Sequence, residues 1–514
     1  MVMIAILSIA LAIRLAFFVG LTGSDDAHYA NRGLLAAMGQ WPGSDYVGDL
    51  RLGMTLPLAA LVSVFGAYEW VVASWGLTAS LAEIALVACV AWHVGGQRAA
   101  ACAALLLALL PIHAELATSV WADAPYAFMQ TASLAALWLA ARCQQRAWLI
   151  ASGLALGFVG WIKPEPALVF GLVYAILALA FYPARRQLLW VLGAAAFTVV
   201  LNLGVFHIAY GDALYYAKTG SRNIQMNFVQ NEAPWGDHRA SYYVQLMFRD
   251  GRAFWLLPPL AVLGMVSAWR APGQLSVGRF TVFWALLLLL VFSLFPYSTS
   301  PWRFIPKQVN YALMFAAPMA CLAGVWLARQ RSIVVAVVVS LMALGGLPLL
   351  ALSASQSHLK RAVNEAVLEF SRQHPMAVVL TNLESVMLND WNRLAGREFV
   401  PGLTAIGAFS GEQRAAVSGR QVFLLSHPGW PEFQGKIRPP LLSPVNARCL
   451  EPATSVAAVL PQNLAAQVSR MVLSLRQASP AVVAKHLQFV DNSLSASPVR
   501  VAMVDLECLQ LAVK

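Results

Sequence analysis

Apolar residues along this chain come in long unbroken runs, without the period-2 or period-3.6 stripes of elements that keep one wet face. The first run covers residues 2–21. Others follow at 70–92, 99–112, 121–141, 147–162, 167–182, 188–209, 253–269, 280–296, 311–328 and 333–352. Runs of this length match the hydrocarbon core of a bilayer, so the pattern predicts about eleven transmembrane helices. The first run has no basic residue before its apolar core and no small-x-small cleavage signal before the acidic pair that follows. It therefore reads as a retained helix and not a signal peptide. Arg14 inside it would cost about 3 kcal/mol at the bilayer centre. It lies in the exit half, where it can snorkel or pair within the bundle.

Past residue 353 the pattern changes. Residues 358–370 place Leu359, Val363, Ala366, Val367 and Phe370 on one helical side, and 377–380, 421–425 and 501–511 are short apolar or alternating runs that read as strands. The segment has about 160 residues, enough for a small domain. The expected organisation is a transmembrane module over 1–352 followed by a compact α/β domain over 353–514. No internal repeat, low-complexity tract, heptad pattern or Gly-rich phosphate loop is present.

Composition agrees with the pattern. Of 514 residues, 59% are hydrophobic and only 11% charged, which excludes an ordinary soluble protein. The net charge of +11 would suggest nucleic acid as a partner, were the basic residues not already placed by the membrane. Alternate connections carry Arg98; Arg142 and Arg146; Arg185 and Arg186; Arg270 and Arg279; Arg329 and Arg331, with no Asp or Glu among them. Those loops are cytoplasmic by the positive-inside rule, and nucleic-acid binding loses its main support. The opposite, outer set holds Asp25, Asp26, Asp45 and Asp49, then Glu115 and Asp123, Lys163 and Glu165, a mixed loop over 211–252, and Arg303 and Lys307. An odd number of spans leaves the C-terminal part outside too. The six cysteines lack metal or redox spacing. Cys89, Cys102, Cys143 and Cys321 lie in or beside apolar runs, whereas Cys449 and Cys508 fall in the polar part, where a disulfide is possible if that part is extracytoplasmic.

Four outer stretches carry candidate chemistry. GSDDAHYA (23–30) sets Asp25 and Asp26 at the membrane edge with His28 and Tyr29 behind them; simple loop hydration is the plain alternative. In WADAPYAF (121–128), Asp123 opens a helix with Pro125 in its first turn, and helix capping alone would account for it. KPEP (163–166) puts a cation and an anion into a tight turn whose prolines are explained by re-entry but whose charges are not. In SPWRFIPKQVNY (300–311), Arg303 and Lys307 would share one face of a helical turn, although Pro306 opposes that geometry. They either snorkel to headgroups or clamp a phosphate, and Arg51 in RLGMTLP is a further cation for that clamp. The 211–252 loop, with Tyr215, Tyr216, Arg222, Asn223, Trp235 and Tyr242, suits a sugar or acceptor platform and equally a headgroup-level aromatic belt. His28, His207 and His238 are too widely spaced to argue for a divalent metal, and no cofactor is expected.

DDAHYA resembles the acidic first-loop motif of the GT-C glycosyltransferases that use polyprenyl-phosphate sugars. The protein O-mannosyltransferase-like and aminoarabinose-transferase-like branches, of glycosyltransferase family 39 type, are the nearest. Further matches come in the family's order: Arg51 with LGMTLPLAALVSVFGAYEW, then WADAPYAF, GLALGFVGWIKPEPALV and WRFIPKQVNYALMFAAPMA, so the resemblance spans residues 1 to about 330. The chain departs from the motif at Asp26, where Glu is also found, and at His28, where an aromatic is usual. The resemblance implies a polytopic all-α GT-C bundle with a small extracytoplasmic C-terminal α/β domain, set in a bacterial-type inner membrane. It implies an inverting glycosyltransferase that moves a sugar from a polyprenyl-phosphate-linked donor to a lipid, glycan or protein acceptor on the outer face. By the same resemblance Asp25 is the base, Asp123 positions base or acceptor, and Asp26 orients the loop. Arg303, Lys307, Arg51 and Lys163 receive the donor phosphate, and His28, Tyr29, Glu165 and Arg222 contact substrate. The rival is a transporter or lipid flippase, which would show symmetric halves and charges near mid-membrane.

Overall fold

The computed structural model describes residues 1–224, 236–250, 253–269, 277–299, 302–409, 420–428, 430, 446–459, 461–477, 498–505 and 508. The apolar runs are helices: α1 (Val2–Ala16), then, after the polar α2 (Asp25–Ala37), α3 (Leu52–Phe65), α4 (Glu69–Ala108), α5 (Pro111–Thr118), α6 (Asp123–Cys143), α7 (Arg146–Ile162), α8 (Pro164–Phe181) and α9 (Leu189–Tyr210). The two runs at 70–92 and 99–112 belong largely to one helix, α4, broken at Gly96, whose φ of 76° and ψ of −170° suit only a residue without a Cβ. Helix α3 was not among the expected runs. Its 14 residues are shorter than a span requires, and Pro57 interrupts the pattern. After α10 (Tyr215–Ile224) and the short α11 (Tyr242–Gln245) come α12 (Leu257–Trp269), α13 (Val277–Leu294), the hairpin β1 (Pro296–Thr299) and β2 (Trp302–Phe304), α14 (Ala316–Ala328) and α15 (Ser332–Gln373). Among the described residues, five helical stretches are long and apolar enough to cross a membrane: Glu69–Ala108, Pro164–Phe181, Arg185–Tyr210, Asn310–Ala328 and Ser332–Gln373; several shorter apolar helices accompany them.

The chain divides into two compact units. The first comprises residues 1–18, 36–66 and 70–350. In it α7 packs between α6 and α9. Gly153 and Gly157 permit the second of these contacts, since a Cβ there would run into the Val191 carbonyl or the Thr198 side chain of α9. Small residues four apart let apolar helices approach where lipid supplies no hydrophobic drive. Arg14 pairs within the bundle. Its Nε donates to Ser80 Oγ at 2.9 Å and its Nη2 to His113 Nδ1 at 2.6 Å. A guanidinium has no acceptor, so the proton of His113 sits on Nε2, which donates to Glu83 Oε2 at 3.2 Å; Glu83 Oε1 accepts from Thr131 at 2.8 Å. This chain of bonds ties α1, α4, α5 and α6 together with every charge satisfied. Glu83 and His113 were not singled out in the sequence, although a carboxylate inside an apolar run is a signal of such pairing.

The second unit comprises residues 19–35, 67–69 and 351–514. The helix expected at 358–370 is the continuation of α15. Beyond it lie β3 (Val378–Thr381), α16 (Leu383–Leu394), β4 (Leu403–Ala405), β5 (Val422–Ser426), β6 (Leu450–Val456), α17 (Leu464–Gln477) and β7 (Val499–Val504). They build a five-stranded sheet of order β4-β3-β5-β7-β6, parallel across β4-β3-β5 and antiparallel across β5-β7-β6. Both faces of β3 and β5 are buried. Val379, Phe423 and Leu425 meet Val363, Val367 and Phe370 of α15, while Val378, Leu380, Val422 and Leu424 pack with Ile406, Phe409 and Cys449. Side chains two apart share a face, so each strand feeds both clusters. Cys449 and Cys508 form a disulfide.

Candidate active site

Pro164 forces the residue before it out of helical geometry. Lys163 accordingly sits in an extended conformation between α7 and α8, with φ −146° and ψ 86°, and its side chain leaves both helix axes. Its ammonium reaches Asp123, with Nζ 2.5 Å from Oδ1, and lies 4.4 Å from the centroid of the Tyr311 ring. Asn310 Nδ2 donates to the other carboxylate oxygen at 3.0 Å. Asp123 is 3% exposed and Lys163 2%, so the pair is shielded from water. The carboxylate thus binds partners far along the chain, and α6 begins without a side-chain cap. Around it stand Tyr126, one turn on along α6, and Tyr243 of α11, both within electrostatic reach of Asp123 and Tyr311. Both phenols are buried, and their hydroxyls find no hydrogen-bond partner among the described residues; the same holds for the Gln130 side chain. An unmet buried hydroxyl costs about 1–3 kcal/mol, which a ligand oxygen would recover. Asn310, Tyr311, Tyr126 and Tyr243 were not singled out as site residues, although the first three fall inside the quoted motifs.

The stretch holding Arg303 and Lys307 departs from the expected helical turn. Arg303 is on β2, its Cα paired with that of Ser298 on β1, and Lys307 forms an isolated antiparallel bridge with Asp237. The two cations therefore do not share a helical face. Lys307 exchanges both backbone hydrogen bonds with Asp237 at 2.9 Å, and its Nζ donates to the Ile305 carbonyl at 3.2 Å. Burial lowers its ammonium to about 8, with the nearby Asp237 charge opposing. His238 donates from Nδ1 to the Phe304 carbonyl at 2.7 Å, which fixes this corner further.

Glu165 and Arg222 fall in a third cluster of the same unit. Glu165 accepts from the Tyr216 hydroxyl at 2.8 Å, and Arg222 forms an exposed pair with Asp45 at 2.9 Å. Tyr215 stacks on Tyr210 at 4.5 Å and receives the Ser44 N–H. Arg51, 8% exposed, lies between the 47–50 turn and α3. Trp235 and the side chain of Asn223 lie outside the described residues.

Asp25, Asp26, His28 and Tyr29 all lie on α2, in the second unit. Asp25 and His28 are half-buried and Tyr29 is buried. Asp26 is fully enclosed: its carboxylate accepts the Thr22 N–H and, at 2.9 Å, the Ala27 N–H. Burial raises the Asp26 carboxyl above the usual range, against those N–H donors and the charge of Lys360, which favour the ionised form.

A family model described as dolichyl-phosphate-mannose-protein mannosyltransferase matches residues 61–194, the stretch that holds Asp123 and Lys163. No curated protein matches the chain. Among solved structures it is similar to ArnT from Cupriavidus metallidurans bound to undecaprenyl phosphate, at 17% identity and a TM-score of 0.55, over 83% of this chain and 92% of that one. It is likewise similar to the same protein in the apo state, at 16% identity and a TM-score of 0.57, over 98% of both chains. The chain has the ArnT fold and is a polytopic membrane protein, and its resemblance to the GT-C superfamily holds in both the matched segment and the fold.

Proposed function

We propose that this chain is an inverting glycosyltransferase that moves a sugar from a polyprenyl-phosphate carrier to a lipid, glycan or protein acceptor on the outer face of an inner membrane. The observation that carries the reading is the buried Asp123–Lys163–Asn310 cluster beside two phenols whose hydroxyls lack partners among the described residues. A site of that kind is built to receive a polar ligand away from water. The family match over 61–194 and the fold of a protein that binds undecaprenyl phosphate support the donor class.

In the proposed reaction an acceptor oxygen attacks the anomeric carbon as the bond from that carbon to the carrier phosphate breaks. The acceptor proton passes to Asp25. The departing phosphate needs no general acid if cations receive its charge, and Arg303, Lys307, Arg51 and Lys163 are the candidates. Lys163 is already matched by Asp123, so its share of that work is smaller and its larger part is to hold Asp123 in place. Asp26 orients the first turn of α2, and His28, Tyr29, Glu165 and Arg222 contact substrate. Residues 1–352 carry the membrane module of about eleven spans, with 19–35 and 67–69 folded into the second unit. Residues 353–514 form an extracytoplasmic domain, and the Cys449–Cys508 disulfide supports that side, since such bonds persist in oxidising compartments.

Purified protein supplied with a panel of polyprenyl-phosphate sugars and envelope acceptors transfers one of the sugars with inversion at the anomeric centre. Product analysis reads this directly. Turnover of none of them, together with vectorial movement of a lipid precursor in vesicles, would overturn the reading in favour of transport.

A further inference from the structure

The segment that carries Asp25 and Asp26 is built into the C-terminal unit by a buried polar network. Asn364 of α15 is fully buried, and its Nδ2 donates to the Thr22 carbonyl at 2.8 Å. Its Oδ1 receives Asn382 Nδ2 at 3.3 Å and lies 3.0 Å from Ser385 Oγ. Asn382 is the N-cap of α16, accepting the Ser385 N–H at 3.2 Å, so one network starts that helix and fixes Asn364. The next residue is equally constrained. Gly23 has a φ of +99°, and a Cβ there would stand 2.7 Å from the Glu384 carbonyl and 2.9 Å from Asn364 Nδ2. On the far side of α2, Asn31 Nδ2 donates to the Met387 carbonyl at 3.1 Å. Before the corner, Leu21 N–H points to Glu69, which Arg361 grips with two parallel bonds of 2.6 and 3.0 Å. Three grips therefore fall within eleven residues, all from one unit, around the stretch whose first helical residue is Asp25.

We infer that Asn364 is a positioning residue: the C-terminal unit holds the Thr22–Asp26 corner so that Asp25 is presented in one fixed geometry. This rests on the reading of Asp25 as the base, and it gives the C-terminal unit a part in the reaction. The physical argument is cost of displacement. A buried amide bonded on both sides has one low-energy placement, and an error of about 1 Å in a reacting group costs about a hundredfold in rate. A half-exposed turn at a helix start has no such precision by itself.

The test compares Asn364→Ala and Gly23→Ala with wild type in the full-length protein, with Arg393→Ala, which makes an exposed pair with Asp390 and none of the bonds to residues 21–31 given above, as a control. Hydrogen–deuterium exchange over residues 20–31 is expected to quicken by at least about tenfold in the first two variants and to stay unchanged in the control. With the lipid-linked donor, kcat is expected to fall by about 10- to 100-fold while KM changes by less than about threefold. Unchanged exchange overturns the anchoring, and faster exchange with wild-type kcat overturns its role in the reaction. If Asn364→Ala fails to fold, Gly23→Ala decides, because it keeps the Asn364 side chain and disturbs the corner from the other side, through its positive φ and a Cβ 2.9 Å from Asn364 Nδ2. If wild-type protein transfers no sugar, the proposed function fails; the exchange measurement still decides whether Asn364 anchors the corner.

Discussion

Asp26 and Asp123 both stand in the first turn of a helix next to an apolar run, and both are buried, yet they are held by opposite means. Asp123 meets a lysine at 2.5 Å and an amide at 3.0 Å. Asp26 has backbone N–H donors and only the more distant charge of Lys360, and its carboxyl is pushed upward. A buried carboxylate with a matched cation has its charge compensated and its place fixed, whereas one with dipoles alone, as at Asp26, is pushed upward by burial. In the first region the chemistry of the proposed site is a locked ion pair. In the second it is a shaped corner whose neighbour, Asp25, is half-buried and placed at the helix start.

The comparison breaks most severely at Asp25. Asp25→Asn is expected to fold as wild type and to lose at least about a hundredfold in kcat, as removal of a general base does; full activity in single-turnover assays would move the base elsewhere. Lys163→Met comes next. It leaves Asp123 buried without its cation, and such a break costs about 3–5 kcal/mol. Chemical unfolding in detergent checks this, and Asp123→Asn/Lys163→Met is expected to recover most of the stability without restoring transfer. If the double variant is no more stable than the single, the pair is not the locked unit described here.

Smaller effects sharpen the same contrast. Lys307 receives phosphate only as a cation, so kcat/KM for the donor is expected to fall as pH rises through about 8, and Lys307→Arg is expected to move that limb to higher pH. Folding stability runs the other way. The lysine's folded value lies below the ordinary 10.5, so its burial costs stability while it is charged, and stability is regained as pH rises from about 8 towards 10.5. The smallest change is expected for Tyr126→Phe and Tyr243→Phe. Removing a buried hydroxyl that has no partner among the described residues changes stability by less than about 1 kcal/mol. A rise in substrate KM at constant stability would place a ligand oxygen beside that ring, and an unchanged KM would remove that ring from the site.

Some of this was legible in the residues. The runs at 121–141, 147–162 and 167–182 are α6, α7 and α8 nearly end to end, because a hydrophobic run long enough for a bilayer leaves the backbone no option but to bond to itself. KPEP announced both the helix break and the charges. WRFIPKQVNY announced the cations but misled on geometry, since an i, i+4 spacing has no helical meaning when Arg303 lies on a strand and Lys307 in a separate β-bridge with Asp237. Helix α3 was missed because 14 apolar residues with an internal proline fall below the length that signals a span.

By itself the sequence determined most of the long apolar helices, the break at Lys163, three of the five C-terminal strands and the grouping of acids and cations at helix ends. All of these follow from periodicity, run length and proline, which act within a few residues. Tertiary structure alone decided which groups meet. Asp123 pairs with a lysine 40 positions on, Asn364 reaches a carbonyl 342 positions back, and Cys449 bonds a cysteine 59 positions away. Those choices depend on which helix faces pack together. No local pattern carries that information, because the free energy that selects a partner is gained only when both surfaces leave solvent at once.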